Sequence, residues 1–198
     1  MDYQRANTDW LANCRFGIGA HWTAQTVPRN GSALSFQKAV DAFDLRRFVD
    51  QFTDAGADYL LFTAAHALQR LPAPHPIIDQ ILPGRTCRRD LIAELADALA
   101  GRGNPLLVYY NHSCNQAQDR AWVHHRVNTE IPKPLYSDQE VVAYVRECNA
   151  HKAPMTFNVG IYQDGTMAEA SVEQLRRLNV ALKFWPVPIS GHGPTRPS

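Results

Sequence analysis

Three times along this chain a short apolar run stops abruptly on polar, chemically capable side chains. Phe16-Gly17-Ile18-Gly19-Ala20 stops on His21-Trp22, Tyr59-Leu60-Leu61-Phe62 on Thr63-Ala64-Ala65-His66, and Leu106-Leu107-Val108-Tyr109-Tyr110 on Asn111-His112. Continuous runs of this length, rich in β-formers, are the pattern of parallel strands buried on both faces. The C-terminal ends of such strands are where α/β folds build their active sites. A histidine at each of three successive strand ends is the main functional signal.

Between the runs the apolar period changes to that of a helix. Asp44 opens one with Leu45, Phe48, Val49 and Phe52 on its buried face, and Gly56 stands where a C-terminal cap belongs. Thr86 is the expected cap of a second, which carries Leu91, Ile92, Leu95, Ala98 and Leu99 and ends at Gly101 and Gly103. Ser137-Asp138-Gln139-Glu140 spells a capping box for a third, presenting Val141, Tyr144, Val145 and Cys148. A strand is predicted over 155–161. Thr166-Met167-Ala168-Glu169 spells a second capping box, ahead of Val172, Leu175, Leu178 and Leu182. Residues 121–127 form a weaker strand candidate.

Residues 1–14 are a lead-in, with Trp10 and Leu11 covering one end of the core. Residues 23–41, and 67–85 with Pro72, Pro74, Pro76 and Pro83, show little periodicity. They are expected to be long loops over the strand ends, where such loops shape pockets.

Alternating strands and helices define an α/β class with a parallel sheet. A closed (β/α)8 TIM-type barrel needs eight strands and about 250 residues; with four good strands and one poor one, this chain of parallel βα repeats is short for that. Residues 1–184 are expected to form a single partial-barrel catalytic-type domain, and 185–198 a Pro/Gly-rich tail.

Composition narrows the function classes. The chain has 198 residues, 45% hydrophobic and 20% charged, with a formal net charge of +1, which gives no electrostatic case for nucleic acid or an anionic membrane. No stretch approaches the ~20 apolar residues of a membrane span, and the first residues lack the pattern of a signal peptide. A cytoplasmic location is the expectation. Cys14, Cys87, Cys114 and Cys148 form no Cys-x-x-Cys pair, so free thiols are expected rather than a zinc site or a disulfide framework.

The ordered motifs resemble a known family. Phe16-Gly17-Ile18 with His21-Trp22 resembles the Phe-Gly-x-x-x-His-Trp opening of alpha-L-fucosidases. Ala55-Gly56-Ala57-Asp58-Tyr59 leading to Thr63-Ala64-Ala65-His66 is similar to their second strand, and Arg89-Asp90-Leu91 with the run into Tyr109-Tyr110 to their third βα unit. The stretch from Trp122 to about Leu178, with Thr156-Phe157-Asn158-Val159-Gly160 and Asp164-Gly165, resembles the C-terminal end of the same barrel. The resemblance implies a (β/α)8-like domain that cleaves terminal α-L-fucose with retention. It also implies that His21 and His66 hold sugar hydroxyls and that Tyr110 lies near the reacting carbon. Two departures stand out. Ala67 occupies the place of a second histidine, and no Trp-Phe-Asp triplet, the family's nucleophile context, occurs in the chain. The middle strands are inferred to be missing, so the resemblance implies an incomplete (β/α)8 TIM-type barrel.

Retaining glycosidases use two carboxyl groups about 5–5.5 Å apart. The candidates are Glu130, Asp164 and, in a polar stretch, Asp119. Gln163-Asp164-Gly165 is also ordinary turn chemistry. His21, His66 and His112 are candidates to line a substrate pocket. Imidazole is a common metal ligand, yet no His-x-His or His-x-x-x-His pair puts two ligands on one element. No metal and no cofactor are therefore expected. Trp22 is either a platform for a sugar's apolar face or a plug in the core. Cys114 beside His112 lacks a base–orienter arrangement for a nucleophile.

The leading expectation is a fucosidase-type glycoside hydrolase acting on a fucose-containing glycoside. The alternative is a catalytically dead sugar-binding or assembly module of the same fold, whose open sheet edges invite self-association. A metal-dependent barrel hydrolase is a third, weaker reading.

Overall fold

The computed structural model describes residues 7–66, 70–110 and 134–183. Phe16–Ala20 (β1), Tyr59–Ala65 (β2), Leu106–Tyr110 (β3) and Met155–Val159 (β4) form one sheet, all parallel, in the order β3-β2-β1-β4. The class is α/β, and the sheet corresponds to part of a (β/α)8 barrel. The first strand thus lies between the second and the last described strand, the neighbours that a first strand has in a closed barrel.

Helices Phe36–Asp41 (α1), Leu45–Ala55 (α2), Pro76–Ile81 (α3), Leu91–Ala100 (α4), Asp138–Ala150 (α5) and Glu169–Lys183 (α6) lie between and after the strands. Strand alternation sends Phe16 and Ile18 of β1 and Leu60 and Phe62 of β2 to one face, where each is fully buried. Against that face pack Phe48 and Phe52 of α2, Leu91, Leu95 and Leu99 of α4, Val145 of α5, and Leu175 and Leu178 of α6. This core supplies most of the driving force for folding.

The other face of β1 carries glycines because its neighbours lean over it. The Tyr59 ring covers Gly17, and the Asn158 side chain covers Gly19; a Cβ at either glycine would meet them at 2.3 and 2.4 Å.

At the N-terminal ends of the strands Arg15 forms a clasp. Its backbone N–H and Nε donate to one Asp58 oxygen at 2.5 and 3.2 Å, and Nη2 donates to the other at 2.7 Å. Nη1 reaches Asn179 of α6 at 2.8 Å. These contacts hold the N-terminal ends of β1 and β2 together.

Several sequence expectations hold in detail. Asp44 caps α2 by accepting from the Arg47 N–H at 3.0 Å, and Gly56 closes it with φ 72°. Ser137 and Glu140 form the reciprocal capping box of α5.

Others are corrected. The cap of α4 is Asp90, accepting from the Ala93 N–H at 2.9 Å; Thr86 instead bridges to Leu71 and hydrogen-bonds Asp79 through its hydroxyl. The loops expected at 23–41 and 67–85 contain α1 and α3. The second capping box does not form: α6 begins at Glu169, and the buried Thr166 hydroxyl has no hydrogen-bond partner among the described residues. β4 ends at Val159, and Ile161 pairs antiparallel with Met167.

The strand candidate at 121–127, Asp119, Cys114 and the tail from 185 lie outside the described residues. No described helix is long and apolar enough to cross a membrane.

Candidate functional site

In-register pairing of β1 with β2 sets Ala20 beside Phe62, so the next residues, His21 and Thr63, emerge side by side. The Thr63 hydroxyl and His21 Nδ1 are 3.3 Å apart. His66, one residue past β2, brings its ring edge-to-face with His21, centroids 4.9 Å apart at 73°. β2 pairs Thr63 with Tyr109, then a bulge between Thr63 and Ala65 sets Ala65 opposite Tyr110. The Tyr109 ring lies 6.3 Å from that of His66. Three adjacent parallel strands thereby deliver His21, Thr63, His66 and Tyr109 to one patch at their C-terminal ends.

The electrostatics favour neutral imidazole at His21. Burial by the surrounding strand ends, and then the neighbouring His66, hold its pKa below the ordinary histidine value. The residue is nonetheless open to solvent on one side, so a ligand can reach it. Thr63 beneath it is only 5% exposed. A neutral imidazole provides one donor and one acceptor nitrogen, and a tyrosine adds an aromatic face and a hydroxyl. Such a patch suits a neutral polyhydroxylated ligand. Among the described residues no group of three or more His, Cys, Asp or Glu side chains is placed to hold a metal ion.

The sequence-predicted residues fare differently. His21 and His66 are brought together. Tyr110 ends β3 opposite Ala65 and, like Tyr109, is about half exposed; the ring contact to His66 among the described residues is made by Tyr109. Trp22 is a core plug and presents no face to a sugar. It is 1% exposed, packs edge-on to Phe43 at 5.3 Å and beside Phe36 at 5.7 Å, and donates its N–H to the carbonyls of Tyr162 and Gln163 at 3.1 and 3.3 Å.

Asp164 occupies the turn after β4, where its Oδ1 accepts from the Thr166 N–H at 2.9 Å and Gly165 follows with φ 82°. One carboxylate oxygen therefore serves the turn. His112 and Glu130 lie outside the described residues. Sequence reasoning missed Thr63 and Tyr109 as members of the cluster; the signal for Thr63 is its placement opposite His21 once the two strands are set parallel.

A parallel βα sheet with polar side chains gathered at its C-terminal strand ends is the arrangement of part of a βα barrel. No protein-family model matches this chain, and no curated protein matches it in sequence. Solved structures do match its fold. An alpha-fucosidase from Thermotoga maritima aligns over 88% of this chain and 73% of that one, with 15% identity and a TM-score of 0.64. A fucosynthase form from the same organism gives a TM-score of 0.66 at 14% identity with the same coverage. The alpha-L-fucosidase AlfC from Lactobacillus casei aligns over 88% of this chain and 98% of that one, with 12% identity and a TM-score of 0.58. The chain has an alpha-L-fucosidase-like fold.

Proposed function

We propose that this protein is a glycosidase-type protein that takes a terminal α-L-fucose residue at the C-terminal ends of β1, β2 and β3. The observation that carries this reading is the edge-to-face pair of His21 and His66 on adjacent strand ends of an alpha-L-fucosidase-like sheet. Structures similar to this one include the Thermotoga maritima enzyme with fucose and the Lactobacillus casei enzyme with its α-L-fucose product. In the proposed complex His21 and His66 hydrogen-bond sugar hydroxyls, and Tyr109 packs against the apolar C–H face. Tyr110, at the end of β3, and His112, two residues on in the sequence, are further candidates to contact the sugar. Hydrolysis in this reading falls to Glu130 and Asp164 as the carboxyl pair.

A second reading, sugar binding without cleavage, is favoured by one specific observation: Asp164 already commits an oxygen to its own turn. Self-association in either reading would use the outer edges of β3 and β4, each with one strand neighbour among the described residues.

Thermal unfolding with and without millimolar L-fucose tests the sugar site. A rise in Tm for the wild type that disappears in His21→Ala and His66→Ala supports it, since a ligand at 100 times its Kd stabilises by about 2.7 kcal/mol. No rise in the wild type would sink it. Release of 4-nitrophenol from its α-L-fucoside then separates the two readings. Cleavage that is lost in Glu130→Ala and in Asp164→Ala supports hydrolysis by that pair. Fucose binding with no cleavage selects the binding module.

A further inference from the structure

We propose that Thr63 is a positioning residue that sets the tautomer of His21, leaving its proton on Nε2 and making Nε2–H the donor offered to a ligand. The proposal rests on the reading of His21 as a sugar contact and assigns which of its nitrogens makes that contact.

Thr63 is 5% exposed in the middle of the sheet, with β1 on one side and β3 on the other. Its hydroxyl has one proton to place, and among the described residues its hydrogen-bond partner is His21 Nδ1 at 3.3 Å.

Two arrangements fit that distance. If His21 carried its proton on Nδ1 and donated, the Thr63 hydroxyl would accept and its own proton would have no acceptor among the described residues. Buried polar hydrogens are seldom left that way in folded proteins. If Thr63 donates, both groups are satisfied by one bond, and the neutral ring keeps its proton on Nε2. The second arrangement is therefore assigned.

Threonine suits the task. Its branched Cβ leaves little χ1 freedom, and its backbone is held in β2 by pairing with Tyr109, directly after Phe62 pairs with Ala20 of β1. His21, by contrast, lies one residue past the end of β1. An imidazole at a strand end gains a fixed orientation from a rigid partner within the sheet, as second-layer hydrogen bonds orient functional histidines elsewhere. The geometry points to a site in which an Nε2–H donor faces a sugar hydroxyl oxygen, so an acceptor on the ligand is the matching chemistry.

The test reads the tautomer directly, without sugar. Long-range 1H–15N correlation spectra of the free protein at pH 8, above the ordinary histidine pKa, distinguish protonated from unprotonated ring nitrogens. The expected result for His21 is a protonated Nε2 and a bare Nδ1. A protonated Nδ1 in the wild type would overturn the proposal.

Thr63→Val keeps the shape and removes the hydroxyl, and should give a mixed tautomer population and about five- to tenfold weaker L-fucose binding, the order expected for losing one orienting hydrogen bond. Thr63→Ser should restore both. An unchanged tautomer ratio in Thr63→Val would also overturn it. Should Thr63→Val fail to fold, the wild-type and Thr63→Ser spectra still decide. The expected tautomer without fucose binding in any variant would uphold Thr63's role and sink only the sugar reading.

Discussion

The hydroxyls of Tyr59 and Thr156 meet at 2.6 Å above Gly17, joining β2 to β4 across the strand that separates them. The bare Cα of Gly17 is what lets the tyrosine ring lie flat enough to reach. Its role is one of space, since its backbone is ordinary strand.

Gly17→Ala should therefore displace the Tyr59 ring, at an overpacking cost of about 1–3 kcal/mol. Tyr59→Phe, which removes the bridge but keeps the ring, should cost about 1 kcal/mol. Urea unfolding of the two variants reads both values. A Gly17→Ala change smaller than that of Tyr59→Phe would contradict the packing argument.

The Arg15 clasp gives a second prediction. Asp58→Ala strips the guanidinium of two of its contacts at the start of β1 and β2 while leaving Asn179 and the Gly56 carbonyl. Both side chains are partly exposed, at 35% and 24%, so solvent screens part of the loss. A destabilisation of about 1–2 kcal/mol is expected, diminishing as salt is raised. A loss insensitive to salt would point to packing instead of charge.

Gln163 ties the loop after β4 to the loop after β1. Its Oε1 accepts the Leu34 N–H at 2.9 Å, and its Nε2 donates to the Leu34 carbonyl at 3.1 Å. Gln163→Ala should expose the Leu34 amide to rapid hydrogen exchange while amides of β1 and β2 keep their protection. Gln163→Glu should act almost as severely, because a carboxylate cannot donate to the carbonyl. Unchanged exchange at Leu34 would show that the loop is held by other contacts.

The lowered pKa of His21 has a defined sign. Its folded value lies below the unfolded value of about 6.5, so between the two the unfolded chain binds more protons. Stability attributable to this residue should fall as pH drops from about 6.5 through the folded value, and be unaffected above 6.5. Comparing urea midpoints of wild type and His21→Gln from pH 8 to pH 5 isolates it. The variant should lose less stability on acidification; parallel curves would refute the assignment.

What the sequence made legible was governed by local rules. Asp44 and Gly56 bracket a helix of three turns, and Ser137 with Glu140 fixes the start of another; both act through neighbouring backbone groups. The six-residue helices were hidden for the converse reason. α1 shows a single apolar repeat in Phe36, Ala39 and Val40, and α3 is capped by the ring of His75 accepting from Ile78, a residue that does not signal a helix start.

Thr166 had the right spacing for a cap, yet the turn at Asp164 and Gly165 had already set its backbone. At the site, the histidine pair followed from strand ends alone. The ring contact of Tyr109 with His66 did not, because it depends on how β3 pairs with β2, Thr63 opposite Tyr109 and a bulge before Ala65, which simple alternation does not encode.

The strand order has a consequence for how the molecule is made. β1 is made before the other described strands, with its two glycine positions open, and gains β2 as one neighbour. Its other edge waits for β4, which comes near the end of the described chain. Until then the nascent sheet carries an unfilled flank beside its most buried strand, and contacts between such distant segments close slowly. A translating ribosome that stalls between β3 and β4 would therefore hold a chain whose central strand is half paired, the stage at which a chaperone has most to shield.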